Sequence, residues 1–171
     1  ETTFVYVTHD QEEALTMSDR IAVVHRGVCL QCDAPEVLFR RPHTRFVAGF
    51  FRGSNVLEAD LVSAGGNGVM LRLAGQPITL SAHGALSFPQ SRVAVAVRAE
   101  NVHVGESARG RRVVLGGRVI DVVYRGTNVD HILELGDGQR IVATSTQREI
   151  DSSAQAVSVG FDPEDAVILE D

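Results

Sequence analysis

The sequence predicts a mainly β protein in which a short α/β segment precedes a larger all-β domain. Over residues 1–53, apolar residues recur at helical spacing between short β-branched runs, which is typical of mixed α/β structure. From residue 54 onward, short apolar runs alternate with glycine-rich turns, which is typical of a β-barrel or a β-sandwich. Gly53-Ser54-Asn55 separates the two patterns, so the predicted domains are residues 1–53 and residues 54–171.

The first segment begins with a predicted strand and a predicted helix. Residues 2–7 are rich in β-branched and aromatic side chains without clean alternation, which favours a strand buried in a parallel sheet. Asp10 and Glu13 have the spacing of a capping box, so a helix is expected over residues 11–18.

A hairpin and two more helices complete this segment. Pro35 suits the first turn of a helix and Pro42 ends that helix, and apolar residues beyond it recur at the spacing of a core-facing helix. The predicted elements are strands at 21–25 and 28–31, a helix from Pro35 to Arg41, and a helix that carries Phe46, Val47, Phe50 and Phe51.

The all-β domain is predicted to consist of short strands joined by turns. The hairpin around Asp137-Gly138 is the clearest, because this dipeptide suits a tight turn. Residues 105–112 are polar and glycine-rich and are predicted to form a loop. A weak internal repeat relates residues 57–82 to residues 115–144, since both begin with a strand and end in a glycine-turned hairpin. The predicted strands are 56–63, 69–74, 77–82, 92–98, 113–124, 130–135, 139–144 and 156–160.

Composition excludes two classes of function. The net charge is −6, which argues against a nucleic-acid partner because a phosphate-backbone binder needs a basic surface. No apolar run approaches the ~20 residues that a membrane-spanning helix needs.

Cysteine and histidine spacing predicts no metal site. Cys29 and Cys32 lie in a predicted strand, where residues three apart face opposite ways, so both are interpreted as structural thiols in a reducing compartment. One C-x-x-C pair cannot complete a tetrahedral zinc site alone. His83, His103 and His131 have no metal-ligand spacing between them.

The sequence also lacks the residues that grip nucleotide phosphates. It contains no lysine, no G-x-x-x-x-G-K-[ST] loop, no Ser-Gly-Gly-Gln and no apolar run that ends in Asp-Glu for magnesium. Because phosphoryl transfer depends on such groups, the chain is not expected to hydrolyse ATP or to hold a cofactor by itself.

The first 55 residues nevertheless resemble the end of an ABC importer ATPase. The likeness rests on four runs: Thr3-Phe4-Val5-Tyr6-Val7-Thr8-His9-Asp10-Gln11, Met17-Ser18-Asp19-Arg20-Ile21-Ala22-Val23, Ala34-Pro35-Glu36-Val37-Leu38, and Phe46-Val47-Ala48-Gly49-Phe50. The resemblance implies that His9 is the switch histidine, which contacts the γ-phosphate in the intact ATPase. The chain is therefore expected to be the tail of a longer subunit whose phosphate-binding parts precede it.

The second domain resembles the transport-associated OB (TOBE) domain that follows such ATPases. The matching markers are Arg98-Ala99-Glu100, which lacks the proline usual at its centre, together with Tyr124-Arg125-Gly126 and Phe161-Asp162-Pro163-Glu164. The resemblance implies an OB-type β-barrel with a regulatory role, preceded by a partial α/β remnant of the ATPase domain. Arg98 and Glu100 share a strand face and could line an effector pocket, or they could form a plain ion pair.

The resemblance also implies how the intact subunit works. Gly53-Ser54-Asn55-Val56-Leu57-Glu58 is similar to the spermidine/putrescine branch, although iron, thiamine and phosphonate importers share much of the pattern. Such a subunit uses ATP and Mg²⁺ and forms a homodimer. It works with transmembrane permease subunits and a solute-binding protein at the cytoplasmic face of the bacterial inner membrane. A stand-alone OB module that binds a small oxyanion or another solute is the alternative, and the switch-histidine segment argues against it.

Overall fold

The computed structural model describes residues 2–65, 68–81, 91–150 and 156–171. Its helices are α1 (Gln11–Met17), α2 (Pro35–Arg40) and α3 (Arg45–Phe50). Its strands are β1 (Ile21–His25), β2 (Val28–Asp33), β3 (Ser54–Gly65), β4 (Gly68–Leu73), β5 (Gln76–Ser81), β6 (Arg92–Arg98), β7 (His103–Val104), β8 (Val113–Tyr124), β9 (Val129–Leu135), β10 (Arg140–Ser145), β11 (Val157–Phe161) and β12 (Ala166–Ile168).

The N-terminal unit packs the β1–β2 hairpin against the three helices. Asp10 caps α1 by accepting hydrogen bonds from the main-chain N–H groups of Glu12 and Glu13, as the capping pattern predicts. Leu38 and Phe51 lie at the centre of a small apolar cluster. Phe46, which the helical pattern assigns to the core face, is 38% exposed and stacks on His25.

The prediction of a buried strand at residues 2–7 was wrong. This segment has no regular secondary structure, and Val5 and Val7 are each 89% exposed. A strand needs neighbours that accept and donate its main-chain hydrogen bonds, and the described residues supply none here.

The prediction that Cys29 and Cys32 face opposite ways was also wrong. The pairing of β1 with β2 shifts register between Val23 and Val24, so that Leu30 is an extra residue on β2. This β-bulge changes the alternation of the strand. Leu30 and Gln31 both turn inward, while Cys29 and Cys32 are both exposed.

The β domain consists of two copies of one five-stranded unit, β3–β7 and β8–β12. Each copy begins with a 12-residue strand, β3 or β8, and the next two strands follow as a meander. The fourth strand, β6 or β11, returns to pair with the first. Both long strands carry a register shift at the same place, between Leu61 and Ser63 in β3 and between Val119 and Asp121 in β8. The internal repeat that the sequence suggests is therefore present in the topology.

The two copies exchange their last strands. The sheet orders are β12-β6-β3-β4-β5 and β10-β9-β8-β11-β7, so β7 joins the sheet of the second copy and β12 joins the sheet of the first. Each sheet curls until its end strands meet, β5 with β12 and β10 with β7. One apolar core runs through both sheets, and its fully buried members include Leu57, Leu71, Leu133, Ile141 and Phe161.

The fold agrees with the sequence prediction of a mainly β, OB-type protein. The predicted strands at 92–98 and 113–124 match β6 and β8 residue for residue. The short exchanged strands β7 and β12 were not predicted, and the predicted loop at 105–112 contains a 3-10 turn, Ser107–Gly110. The end of the strand predicted at 77–82 and His83 lie outside the described residues.

The close approach of β11 to this 3-10 turn gives the first testable prediction. A Cβ atom on Gly160 would lie 2.5 Å from the main-chain oxygen of Ala108, whereas a Cβ on Gly116 would meet nothing within 4 Å. We expect Gly160→Ala to lower the free energy of unfolding by about 1–3 kcal/mol through overpacking. Gly116→Ala, on the neighbouring strand, should leave it unchanged or slightly higher. Urea unfolding of both variants tests this, and equal midpoints would contradict it.

Candidate functional site

Arg98 joins the β domain to the N-terminal unit. The residue is 7% exposed and is the last of β6. Nη2 donates to the main-chain oxygen of Arg52 at 2.6 Å, and Nη1 donates to Ser54 Oγ at 2.6 Å and to the oxygen of Phe51 at 3.5 Å. These acceptors are the last residues of the N-terminal unit and the first of β3, so one side chain holds the crossing point between the two predicted domains.

Two further contacts complete the surroundings of Arg98. The guanidinium carbon lies 3.5 Å from the centre of the Phe39 ring, a cation–π arrangement that favours the charged form. Glu100 Oε1 lies 3.6 Å from Nε, and its side chain is half exposed. Burial lowers the pKa of Arg98 and the nearby Glu100 carboxylate opposes that change. Nε has no hydrogen-bond partner among the described residues.

Gln11 of α1 binds the main chain of residues 50–52, here called the crossing segment, which leads from the N-terminal unit towards β3. Its amide Nε2 donates to the main-chain oxygen of Phe50, and its Oε1 accepts from the N–H of Arg52 at 3.2 Å. The segment 50–52 is thus held between a side chain of α1 and a side chain of β6. Because Gln11 lies two residues after His9, the segment around His9 and the β domain contact the same stretch of main chain.

His9 itself is exposed, directly before α1. Its neighbours in sequence are ordered by a small hydrogen-bond network. Thr8 Oγ1 donates to Glu13 Oε2 at 2.7 Å and accepts from the N–H of Asp10 at 3.0 Å. No described residue forms a hydrogen bond or ion pair with the imidazole.

An open cleft of about 370 Å³ lies where the ends of β10 and β7 meet. Its lining residues are Glu100, Val102, His103, Asn128, Thr144, Ser145, Thr146 and Glu149. Of the two residues expected at an effector pocket, Glu100 lines the cleft and Arg98 does not. Arg98 is buried and donates to main-chain oxygens, and it forms with Glu100 the ion pair that the sequence left open as the alternative.

The groups that line the cleft are mainly hydrogen-bond acceptors, and two of them carry negative charge. Two carboxylates, Glu100 and Glu149, face it together with several hydroxyl groups, and its lining includes no arginine among the residues that the structure describes. Ser107 fixes Glu149 by donating to Oε2 at 2.6 Å. Such a lining suits a ligand that carries N–H donors and positive charge better than an oxyanion.

Two amide side chains, which sequence reasoning missed, join the sheets. Asn55 donates to the oxygen of Val142 at 2.8 Å and accepts from its N–H at 2.7 Å. Gln139 makes the same pair of bonds with the main chain of Glu58, at 2.9 and 2.6 Å. Both pairs add hydrogen bonds between β3 and the β10 segment. The sequence signal for Asn55 is a polar amide at a buried position of a strand. Gln139, in the turn before β10, has no such signal.

Histidine and acidic residues do not combine into a metal centre. In the parts of the chain that the structure describes, no three His, Cys, Asp or Glu side chains come together as ligands. His131 is fully buried, and neither of its ring nitrogens has a hydrogen-bond partner there. Among the same residues, no helix is long and apolar enough to cross a bilayer.

The Arg98 contacts predict a large stability effect. We expect Arg98→Ala to lower the free energy of unfolding by about 2–3 kcal/mol, because buried main-chain oxygens lose a charged donor. Arg118→Ala is the matched control, since the pair of Arg118 with Glu134 is largely exposed and worth only about 0–1 kcal/mol. Thermal and urea unfolding measure both. Equal losses would contradict the assignment of Arg98 as the residue that joins the two units.

Comparison with known proteins agrees with this arrangement. The chain is 39% identical to the spermidine/putrescine import ATP-binding protein PotA of Rubrobacter xylanophilus, over 98% of this chain and 45% of the relative. It is 40% identical to PotA of Ruegeria pomeroyi, over 99% of this chain and 46% of the relative. The chain thus spans somewhat less than half the length of the curated relatives it matches.

The β domain has its own matches. A solved structure of the cytoplasmic molybdate-binding protein ModG superposes with a TM-score of 0.56 at 17% identity, covering 69% of this chain and 96% of ModG. At that identity the likeness concerns the fold alone. The family model of the TOBE domain matches residues 95–169, which include the turn after β6 and the exchanged strands. The chain is therefore related over nearly its whole length to part of the spermidine/putrescine import ATP-binding proteins of ABC transporters, and it carries a TOBE domain.

Proposed function

We propose that this chain is the C-terminal regulatory part of the ATP-hydrolysing subunit of an ABC importer for polyamines. The observation that carries the proposal is the match of 98–99% of the chain to spermidine/putrescine import ATP-binding proteins. The intact subunit binds ATP and Mg²⁺ through residues outside this sequence. It works as a homodimer with transmembrane permease subunits and a solute-binding protein at the cytoplasmic face of the inner membrane.

His9 acts as the switch histidine of that subunit. An imidazole suits this role because one ring nitrogen can donate to a phosphate oxygen while the other interacts with its surroundings. The exposure of His9 and the hydrogen bond between Thr8 and Glu13 support the role. The main chain beside His9 is ordered, while its ring remains accessible to solvent. The nucleotide and its metal ion would be supplied against this face by the rest of the subunit.

The TOBE domain acts on His9 through the crossing segment. Gln11 and Arg98 both bind the main chain of residues 50–52, and Glu100 connects Arg98 to the cleft. A ligand that draws Glu100 into the cleft would weaken its pairing with Arg98. The hydrogen bonds from Arg98 to the main chain of residues 51 and 52 would then change. Because Gln11 binds the same main chain, the position of α1 would change with them. A change of ATP turnover on ligand binding to the cleft of the intact subunit, lost in Arg98→Ala, would test this route.

The cleft is the effector site, and its ligand is an organic amine. Glu100 and Glu149 supply negative charge, and the described part of the lining holds no arginine to balance an oxyanion. This same lining weakens the alternative of a stand-alone oxyanion-binding module, although the fold is like that of ModG. The names of the relatives favour polyamines over iron, thiamine or phosphonates as the imported solute.

The nucleotide role gives two linked predictions. Isothermal titration of this chain with Mg-ATP should produce no heat beyond dilution, because the phosphate-binding residues are lacking.

In the intact subunit, His9→Ala should reduce ATP turnover by about 100-fold or more, the cost typical of losing one transition-state donor. His43→Ala, at an exposed histidine that pairs only weakly with Glu170 at 3.9 Å, is the control and should retain turnover. Undiminished turnover in His9→Ala would remove His9 from the mechanism.

The effector role has its own test on this chain. Spermidine titrated into the chain should bind with a measurable enthalpy, and Glu100→Gln/Glu149→Gln should abolish that heat. Glu12→Gln/Glu36→Gln removes the same charge from two acidic residues that do not line the cleft, and it should bind as the unmodified chain does. Equal loss in both double variants would indicate general electrostatic attraction. No binding to the unmodified chain would remove the amine effector while leaving the importer assignment to be judged by ATP turnover.

A further inference from the structure

The outer face of the β1–β2 hairpin carries two thiols side by side. Cys29 pairs with Val24 and Cys32 pairs with Ala22, and these two partners alternate with the buried residues Ile21 and Val23. Cross-strand partners share a face, so both cysteines point outward from the same side of the hairpin. Both are exposed, and neither is part of the cleft or of the contacts around His9.

We propose that Cys29 and Cys32 form a two-thiolate site for a soft monovalent cation, copper(I). Their partners on β1 are two residues apart, which places the two Cα atoms about 7 Å from each other. This separation is at the upper limit for a disulfide, whose S–S bond is only about 2 Å long. Two metal–sulfur bonds of about 2.3 Å each span the gap with less movement of the backbone. The geometry thus favours a bridging ion over direct oxidation.

The number and type of ligands select copper(I) over zinc. Zinc in proteins takes four ligands, and the described residues provide no group of three or more His, Cys, Asp or Glu side chains. Thiolates are soft ligands that prefer copper(I) among the common biological ions. Copper(I) is stable with two sulfur ligands in a linear arrangement, so the pair is sufficient.

A neighbouring positive charge supports this site. Arg20 donates from Nη2 to the main-chain oxygen of Cys32 at 3.1 Å, which holds its guanidinium against the main chain of β2 at Cys32. A positive charge near the site helps to balance the complex, which carries one net negative charge. Binding releases two protons: one copper(I) ion and two S–H groups give a bis-thiolate complex and two H⁺, with no change of oxidation state. Affinity should therefore rise with pH.

The test is an anaerobic titration of the full chain with copper(I) in competition with the chromophoric chelator bicinchoninate. We expect one ion per chain, and an affinity that increases between pH 6 and pH 8 because protons compete with the metal. Cys29→Ser and Cys32→Ser should each weaken binding by at least about 100-fold, since each removes one of the two ligands. Zinc, titrated in the same way, should not compete.

The matched control keeps two thiols but moves one to the other face. Cys32→Ser/Asp33→Cys places the second thiol opposite Ile21, on the buried side of the strand. Circular dichroism checks that this variant folds. If the shifted pair binds copper(I) as tightly as the original pair, or if either serine variant keeps full affinity, the two-thiolate site is wrong. The absence of binding to the unmodified chain overturns it as well.

Discussion

The exchange of the last strand between the two halves of the β domain is the constraint on which the rest of this structure depends. A five-stranded sheet is completed in each half only by a strand from the other, β7 in one direction and β12 in the other. Neither half can close its edge alone, and an open edge would leave main-chain groups unpaired. The two halves therefore fold as one unit with one core, and the Asn55 and Gln139 amide pairs reinforce their junction.

The same exchange creates the functional geometry. To cross from β6 to β7 the chain makes a 3-10 turn at Ala99–Asn101, and this turn places Arg98 towards the N-terminal unit and Glu100 at the cleft. The second copy makes the equivalent turn at Pro163–Asp165. There Asp162 precedes the turn and binds Arg111 at 3.0 Å, an interaction that lowers the pKa of the Asp162 carboxyl. One turn thus joins two units, and its counterpart fastens a loop within the domain.

Much of the fold could be predicted because local signals suffice for it. Alternating apolar residues and glycine turns locate long strands such as β6 and β8, and Asp10 marks the start of α1 through its own side chain. The failures have a common cause in long-range pairing. Residues 2–7 have the composition of a strand, but the described residues include no strand for them to pair with. The strands β7 and β12 are too short to be recognised from the sequence, and they form because a neighbouring strand is there to pair with them.

By itself the sequence determined the mainly β class of the protein and the order of its longer elements, because these follow from residue type and spacing along the chain. His9, Arg98 and Glu100 stand out only through the resemblance to a known family. Only the tertiary structure decided the surroundings of Arg98 and Glu100. It buried Arg98 against main-chain oxygens and left Glu100 facing the cleft, because the strand exchange sends the two side chains of one turn to different surroundings. It also brought Cys29 and Cys32 to one face, because a single bulge residue reverses the alternation that spacing alone implies.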